Sequence, residues 1–319
     1  MRYLKNYIPA LNYGAKILPE EIVGAYTAYT LFGDSFYVDG TNGADVAGNG
    51  KSPDTAFKTL DYAIGQATAN QGDVIFVKEG YTETISAATA LLDKAGITII
   101  GMGDGGNMPK ITLDTATTAT IGVSANDITI EGFKFVADFA DIVSFFTLTT
   151  AKNFTLDGCK FAQSGANKNA LYLVDTDTTT GNADGLTIKN CEWIDVDTAC
   201  VGAVKVDQDL TGLVVKNNFF KLGVNNNKSV ITVANGKSVF DAIITDNYLY
   251  RLNTDSATGA LWFHTDQTDN SGILARNFAQ HADTANELNL TASAGLACFQ
   301  NFSSGVVGAS GYLLPGADS

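Results

Sequence analysis

One eight-residue pattern recurs along this chain, and it restricts the architecture more than any other feature. It reads apolar, any, apolar, polar, one or two turn residues, then an aromatic. Copies start at Ile128 (ITIEGFKF), Phe154 (FTLDGCKF), Leu186 (LTIKNCEW), Leu213 (LVVKNNFF), Ala242 (AIITDNYL), Gly272 (GILARNFA) and Leu296 (LACFQNFS), with a looser copy at Ile97 (ITIIGMGD). From Ile97 onward the gaps are 31, 26, 32, 27, 29, 30 and 24 residues. The first three positions alternate as a strand does, and Asn, Gly or Asp then turns the chain. A repeat of this length holds two or three short strands with turns, which is one coil of a β-solenoid. An α-solenoid is excluded, because the apolar period is two and β-branched residues dominate.

Solenoid coils contact mainly their neighbours, so the 319 residues are expected to form one elongated all-β domain. Lys and Arg number 20 against 34 Asp and Glu, a formal charge of −14. That balance argues against nucleic acid, whose binding rests on cationic contacts to phosphate. It also argues against an anionic membrane surface. The chain has no apolar run of membrane-spanning length, and MRYLKNYIPALNYGAKILPEE lacks the apolar stretch of a signal peptide, so export by that route is not expected. Nothing in the motifs calls for a cofactor or a metal. The four cysteines show no CxxC pair. Cys159 and Cys191 share motif position six on successive coils and read as stacked buried thiols, with a disulfide as the alternative.

Residues 1–35 do not fit the repeat. Tyr3, Tyr7 and Tyr13 stud an aromatic arm that either wraps its own solenoid or docks on another subunit. A strand at Phe36-Tyr37-Val38 follows, then a Gly- and Asn-rich loop. A helix is expected over about 53–69, with Ser52 as N-cap, Pro53 at its first position and Gly72 as its stop. Its apolar face, Phe57, Leu60, Ile64 and Ala67, would cover the open end of the solenoid. The β-helix is placed at 36–302 and a Gly-rich tail at 303–319, which either frays or docks.

Tyr37-Val38-Asp39, Gly50-Lys51-Ser52-Pro53, Ala56-Phe57-Lys58-Thr59-Leu60, Ala63-Ile64 and Gly72-Asp73-Val74-Ile75 together resemble the N-terminal cap of pectin-lyase-like proteins. That resemblance implies a right-handed parallel β-helix. The group includes pectate lyases, polygalacturonases, phage tailspikes and non-enzymatic virion proteins, so fold does not carry activity. The closing Gly-Tyr-Leu-Leu-Pro, residues 311–315, is similar to phage virion-associated proteins. The resemblance implies a structural virion protein of capsid decoration (cement) type, a homotrimer on the major capsid protein, assembled in the host cytoplasm. A tailspike or depolymerase acting on a surface polysaccharide is the alternative. A bacterial surface or secreted carbohydrate-active protein is a third.

Within the coils, Asn218, Asn247, Asn277 and Asn301 share position six and are expected to form an amide ladder. Phe135, Phe161, Trp193 and Phe220 share position eight and are expected to stack inside. The polygalacturonase motifs Asn-Thr-Asp, Asp-Asp and Gly-His-Gly are absent as such, and His264 and His281 do not sit between glycines. If the chain is an enzyme, the carboxyl pair a glycosidase needs comes from Asp175, Asp207, Asp195 and Asp197, with Asp177 and Asp209 nearby. Asp175 and Asp207 each end an alternating strand and are expected to stack on adjacent coils. Solvated turns and calcium binding are the other roles for these aspartates. If Leu261 and Phe263 face the core, Trp262 and His264 face out, where Trp262 would stack on a sugar or anchor a subunit.

Overall fold

The computed structural model describes residues 33–223, 229–251, 260–264, 269–281, 289–292, 295–304 and 311–312. Tyr3, Tyr7 and Tyr13 lie outside them. The chain is a right-handed parallel β-helix. Two sheets of ten strands and one of eight run along the axis, with a further two-stranded pair. Every repeat copy contributes its first half to the same sheet, here the first sheet. Thr98, Thr129, Thr155, Thr187, Val214, Ile243, Ile273 and Ala297 pair in register down it. The second halves, from Lys134–Ala137 to Phe302–Ser304, stack as the second sheet. The third sheet is made of segments between the motifs, such as Ile142–Leu148, Ala170–Thr176 and Gly202–Val206.

The corner between the first and second sheets is one residue in the left-handed conformation. It is Gly132, Gly158, Asn190, Asn217, Asp246, Arg276 and Gln300 in the seven copies, with φ between 53° and 72°. Gly and Asn occupy this region readily, which explains the first four. Arg276 is held there with two bonds to the Asp246 carboxylate, at 2.7 and 2.8 Å.

Position six is the next residue, and its side chain ties coil to coil. Each asparagine donates to the carbonyl of motif position three one coil back: Asn218 to Ile188, Asn247 to Val215, Asn277 to Ile244 and Asn301 to Leu274, at 2.8–2.9 Å. Its Oδ1 accepts the preceding copy's backbone N–H, at 2.8–3.0 Å. The amides also join side chain to side chain, Asn218 to Asn247 at 2.9 Å, Asn247 to Asn277 at 2.9 Å and Asn277 to Asn301 at 3.1 Å. In the two coils before them, thiols take the same place. Cys159 Sγ lies 3.7 Å from Ile130 O and Cys191 Sγ 3.7 Å from Leu156 O, and both cysteines are free. A hydrogen-bonding side chain thus satisfies turn backbone that would otherwise be buried unpaired.

Position eight points inward. Phe135, Phe161, Trp193 and Phe220 are all buried, and the Phe135 and Phe161 rings stack at 5.2 Å. Phe145 and Phe146 of the third sheet meet them edge-on. Each such ring stabilises the interior by roughly 1.5–3 kcal/mol through burial.

The helix is shorter than its sequence pattern. A 3₁₀ turn covers Pro53–Thr55, and the α-helix is only Leu60–Gln66. Thr59, not Ser52, caps it, accepting the Tyr62 N–H. Between them Phe57 lies extended against the edge strand Ser35–Val38, giving its N–H to Tyr37 and its carbonyl to the Asp39 N–H, both at 2.8 Å. The open sheet edge needs those partners more than the helix needs another turn. Ala67 ends the helix in extended geometry, five residues before Gly72. Phe57, Leu60, Ala63, Ile64 and Ala67 are buried over the end of the core. At the far end Gly311–Tyr312 folds back antiparallel on Phe302–Ser304, covering part of that edge.

Asn247→Ala removes two donated and two accepted bonds in a site with no water access. It should lower stability by about 2–4 kcal/mol. Asn49→Ala, which loses one surface bond to Ala44 O, should cost under about 0.5 kcal/mol. Thermal midpoints compare the two; equal values would remove the ladder from the account of stability.

Candidate functional site

The third sheet carries the longest strands, and its outer face holds the main cluster of charged groups suggested by the sequence. Asp175 is the second-last residue of Ala170–Thr176 and Lys205 lies in Gly202–Val206. The register pairs Asp175 with Lys205, not with Asp207. The expected stack of two carboxylates is therefore a carboxylate on an ammonium, because the strands align two residues away from the sequence-based alignment. Lys205 Nζ lies 2.6 Å from Asp207 Oδ2 and 3.3 Å from Asp175 Oδ1. It also sits 5.9 Å from the centre of the Tyr172 ring.

Burial pushes the Asp175 carboxyl up, and Lys205 only partly offsets it. Burial alone would lower the Lys205 ammonium, but Asp207 and Asp175 outweigh it and hold it above its ordinary value. Burial also pushes the Tyr172 phenol up to about 12. A general base must be free to take a proton near neutral pH, and Lys205 is held protonated. A glycosidase needs room for a sugar between two carboxyl groups, and here the ammonium occupies that space. As it stands, the arrangement holds charge rather than transferring a proton.

Asp195 and Asp197 do not form a second pair. Asp195 is completely buried at the end of Glu192–Asp195. Its Oδ1 accepts the Asp197 N–H at 3.1 Å and its Oδ2 the Ala170 N–H at 3.3 Å. Burial pushes its carboxyl up to about 7, and those two bonds oppose the shift. Asp197 stays in the corner loop, accepting from Ala199 N–H at 2.9 Å and Asn167 N–H at 3.1 Å. Asp177 and Asp209 likewise accept turn amides, from Thr178 and Ser238. Among the described residues no three His, Cys, Asp or Glu side chains gather as a metal site.

Trp262 is the clearest departure. Strict alternation puts it outside with His264, yet it is completely buried, as is Phe263. The strand Ala260–His264 carries an irregularity between Ala260 and Phe263, so two consecutive side chains point inward. The same doubling buries Phe145 with Phe146, Leu173 with Val174, and Ala203 with Val204. A bulge makes it: the Ala203 and Val204 amides both give their N–H to Val230 O, at 2.7 and 2.9 Å. Trp262 is core, with no exposed ring for a sugar or subunit. The backbone of His264 pairs with Thr232.

No protein-family model matches this chain, and no curated protein does. Solved structures do. A rhamnogalacturonan lyase superposes with TM-score 0.47 at 14% identity, over 80% of this chain and 75% of that one. The Streptococcus pneumoniae surface adhesin PfbA gives 0.47 at 14%, over 77% and 80%. ORF18 of Geobacillus virus E2 gives 0.40 at 13%, over 90% of this chain but only 63% of the viral one. The likeness is one of fold. A lyase, an adhesin and a viral protein on one architecture say nothing about which activity this chain has.

One outer column escaped the sequence reading. Motif position seven is Lys134, Lys160, Glu192, Phe219, Tyr248, Phe278 and Phe302, and the register stacks them on the outside of the second sheet. Lys110 precedes them in the same column. The signal was one letter before the aromatic position and needed only to be read down the copies rather than along them.

The buried Asp195 makes a pH prediction. Its folded value lies near 7 against an ordinary 3.8, so the fold binds a proton that the unfolded chain has released. Its contribution to stability is full below about pH 4, falls as pH rises to about 7, and levels above, by on the order of 4 kcal/mol at most. Asp175 and Glu83, also raised by burial, add the same sign. Asp195→Asn should flatten the fall and leave the variant more stable than wild type near pH 8. Melting curves followed by circular dichroism across that range decide it. A wild-type profile without slope there would contradict the assignment.

Proposed function

We propose that this chain is a structural attachment protein that assembles through its C-terminal coils. One observation carries the reading. Two outer columns change together from polar to apolar along the axis. On the first sheet Thr129, Thr155 and Thr187 give way to Val214, Ile243 and Ile273. Position seven runs from lysine to Phe219, Tyr248, Phe278 and Phe302. Phe219, Ile243, Ile273, Phe299 and Phe302 are each exposed by 37–45%. The coils need only their inner residues to stack, so aliphatic and aromatic residues outside serve another surface.

The rings in position seven fit protein packing better than a sugar platform. Phe219 stacks on Tyr248 at 5.3 Å and Tyr248 on Phe278 at 5.0 Å. Their faces cover one another, and their edges look out. A sugar needs a ring face, whereas a protein surface packs against edges. A closed homotrimer with the apolar columns turned inward is the arrangement we favour, since repeated identical surfaces close on themselves. The resemblance of residues 311–315 to phage virion-associated proteins supports a role on a phage particle, where the assembly would act as a capsid decoration. There it would stabilise the shell by binding only the assembled state.

Ile243→Glu with Ile273→Glu tests this. Wild type should sediment as a trimer and the double variant as a monomer with the same circular dichroism spectrum, its melting point lower by what the lost assembly contributed. Quantitative mass spectrometry of intact phage particles would then give copy number. A monomeric wild type absent from particles ends the proposal.

A further inference from the structure

The corner between the first and second sheets carries opposite charges on its two flanks. Motif position four, on the outside of the first sheet, is Glu131, Asp157 and Lys189 in three successive coils. Position seven, on the outside of the second sheet, is Lys134, Lys160 and Glu192 in the same coils. One flank reads minus, minus, plus; the other reads plus, plus, minus. None of the six side chains is buried. Three residues along the chain separate the members of each pair, so ion pairs across the corner are the simplest use of the pattern. Among the described residues none forms. Lys189 goes instead to Asp157 on its own flank, at 3.0 Å, and Asp157 also takes the Asn190 amide at 2.7 Å.

The flanks also cost the isolated rod something. Glu131 lies beside Asp157, and Lys134 beside Lys160, as neighbours on adjacent strands. Like charges placed so are destabilising. A single rod gains nothing from either strip. A second rod that lays its first-sheet flank against this one's second-sheet flank gains from both.

We propose that another copy of this chain docks on this corner coil for coil, the first-sheet flank of one copy against the second-sheet flank of the next. The proposal rests on the assembly described above and gives it a contact and an axial position. Glu131 then meets the next copy's Lys134, Asp157 its Lys160, and Lys189 its Glu192. The same alignment sets Lys216 on the neighbouring Phe219 ring and Phe299 against Phe302, which are 45 and 39% exposed. Sliding one rod by a coil sets Asp157 on Glu192; sliding it the other way sets Lys189 on Lys160. Each shift creates a like pair, and coil-on-coil docking creates none. The reversal of sign at Lys189 and Glu192 is what selects that position, because two uniform strips would slide past each other. Unlike flanks make the contact heterologous, so copies rotated about an axis along the rod close into a ring. An open groove of about 330 Å³ beside Lys160, Glu192 and Phe219 leaves room for the neighbour's side chains. One coil earlier Ile100 and Lys110 stand in the two columns and offer no pair, so the first coils stay outside the contact.

Sedimentation of the full-length protein at low salt, with charges reversed singly and together, tests this. Glu131→Lys and Lys134→Glu each put one like pair in every junction, and should weaken association about tenfold per junction. Both changes in one chain restore opposite signs and should recover wild-type association. Glu131→Lys moves the net charge from −14 to −12. Bulk repulsion alone would then favour association, so a loss reports the local pair. As dilute monomers both single variants should melt at or above wild type, since each relieves a like-charged neighbour. A mixture of Glu131→Cys and Lys134→Cys copies should give a covalent dimer with a short bismaleimide, beyond the wild-type background, and neither variant alone should. Unchanged association in the single variants, a double variant no better than either, or cross-linking of Glu131→Cys alone overturns the proposal and leaves assembly through Ile243 and Ile273 standing. A wild type that stays monomeric overturns both.

Discussion

Each coil of this molecule turns a sharp corner between its first and second sheets, and the backbone there lies against the next coil instead of water. From Cys159 onward the side chain at motif position six gives a proton to a carbonyl one coil back, and each asparagine also accepts that coil's backbone N–H. An asparagine amide does both, and four successive coils use it. A cysteine does half: its thiol reaches the carbonyl behind it, while the Cys191 amide relies on the first asparagine, Asn218. The rest of the fold depends on this satisfied corner. Without it the left-handed residue before and the inward aromatic after lose their common register.

Much of this was legible because corner chemistry narrows residue choice. The period, the alternation and the asparagines can be read from one copy of the motif to the next. The eight starts from Ile97 to Leu296 are the places where the first sheet runs. What could not be read lies where local preference yields to a neighbour. The run from Pro53 to Ala67 has the spacing of one long helix, yet the bare edge of Ser35–Val38 draws Phe57 out of it. Trp262 has the alternation of a surface residue, yet a bulge repeated through the third sheet turns two neighbours inward together. A bulge carries no letter of its own, so no periodicity count contains it.

The candidate site was less legible than the fold for a related reason. Asp175 and Asp207 occupy similar places in their own strands, and chain position alone aligns them. Pairing across strands is decided by the sheet, and a shift of two residues exchanges a carboxylate for Lys205. That exchange reverses the chemistry: two acids would have shared a proton, whereas an acid and an ammonium fix each other's charge. Asp195 shows the converse. Its place in the sequence looks like that of a surface turn acid, but it lies inside, and burial sets its proton affinity.

Stacking constrains the inside of every coil and leaves the outside free, so the outer columns can differ from one end to the other at no cost to the core. Position seven uses that freedom: lysine in three coils, one glutamate, then four aromatics. Glu192 stands at the change. It neighbours Lys160 on one side and the free face of Phe219 on the other, so charge and ring are separated by a single strand. An apolar surface near one end and a charged one near the other give the rod a direction, so a partner that covers the late coils leaves the early ones facing solvent.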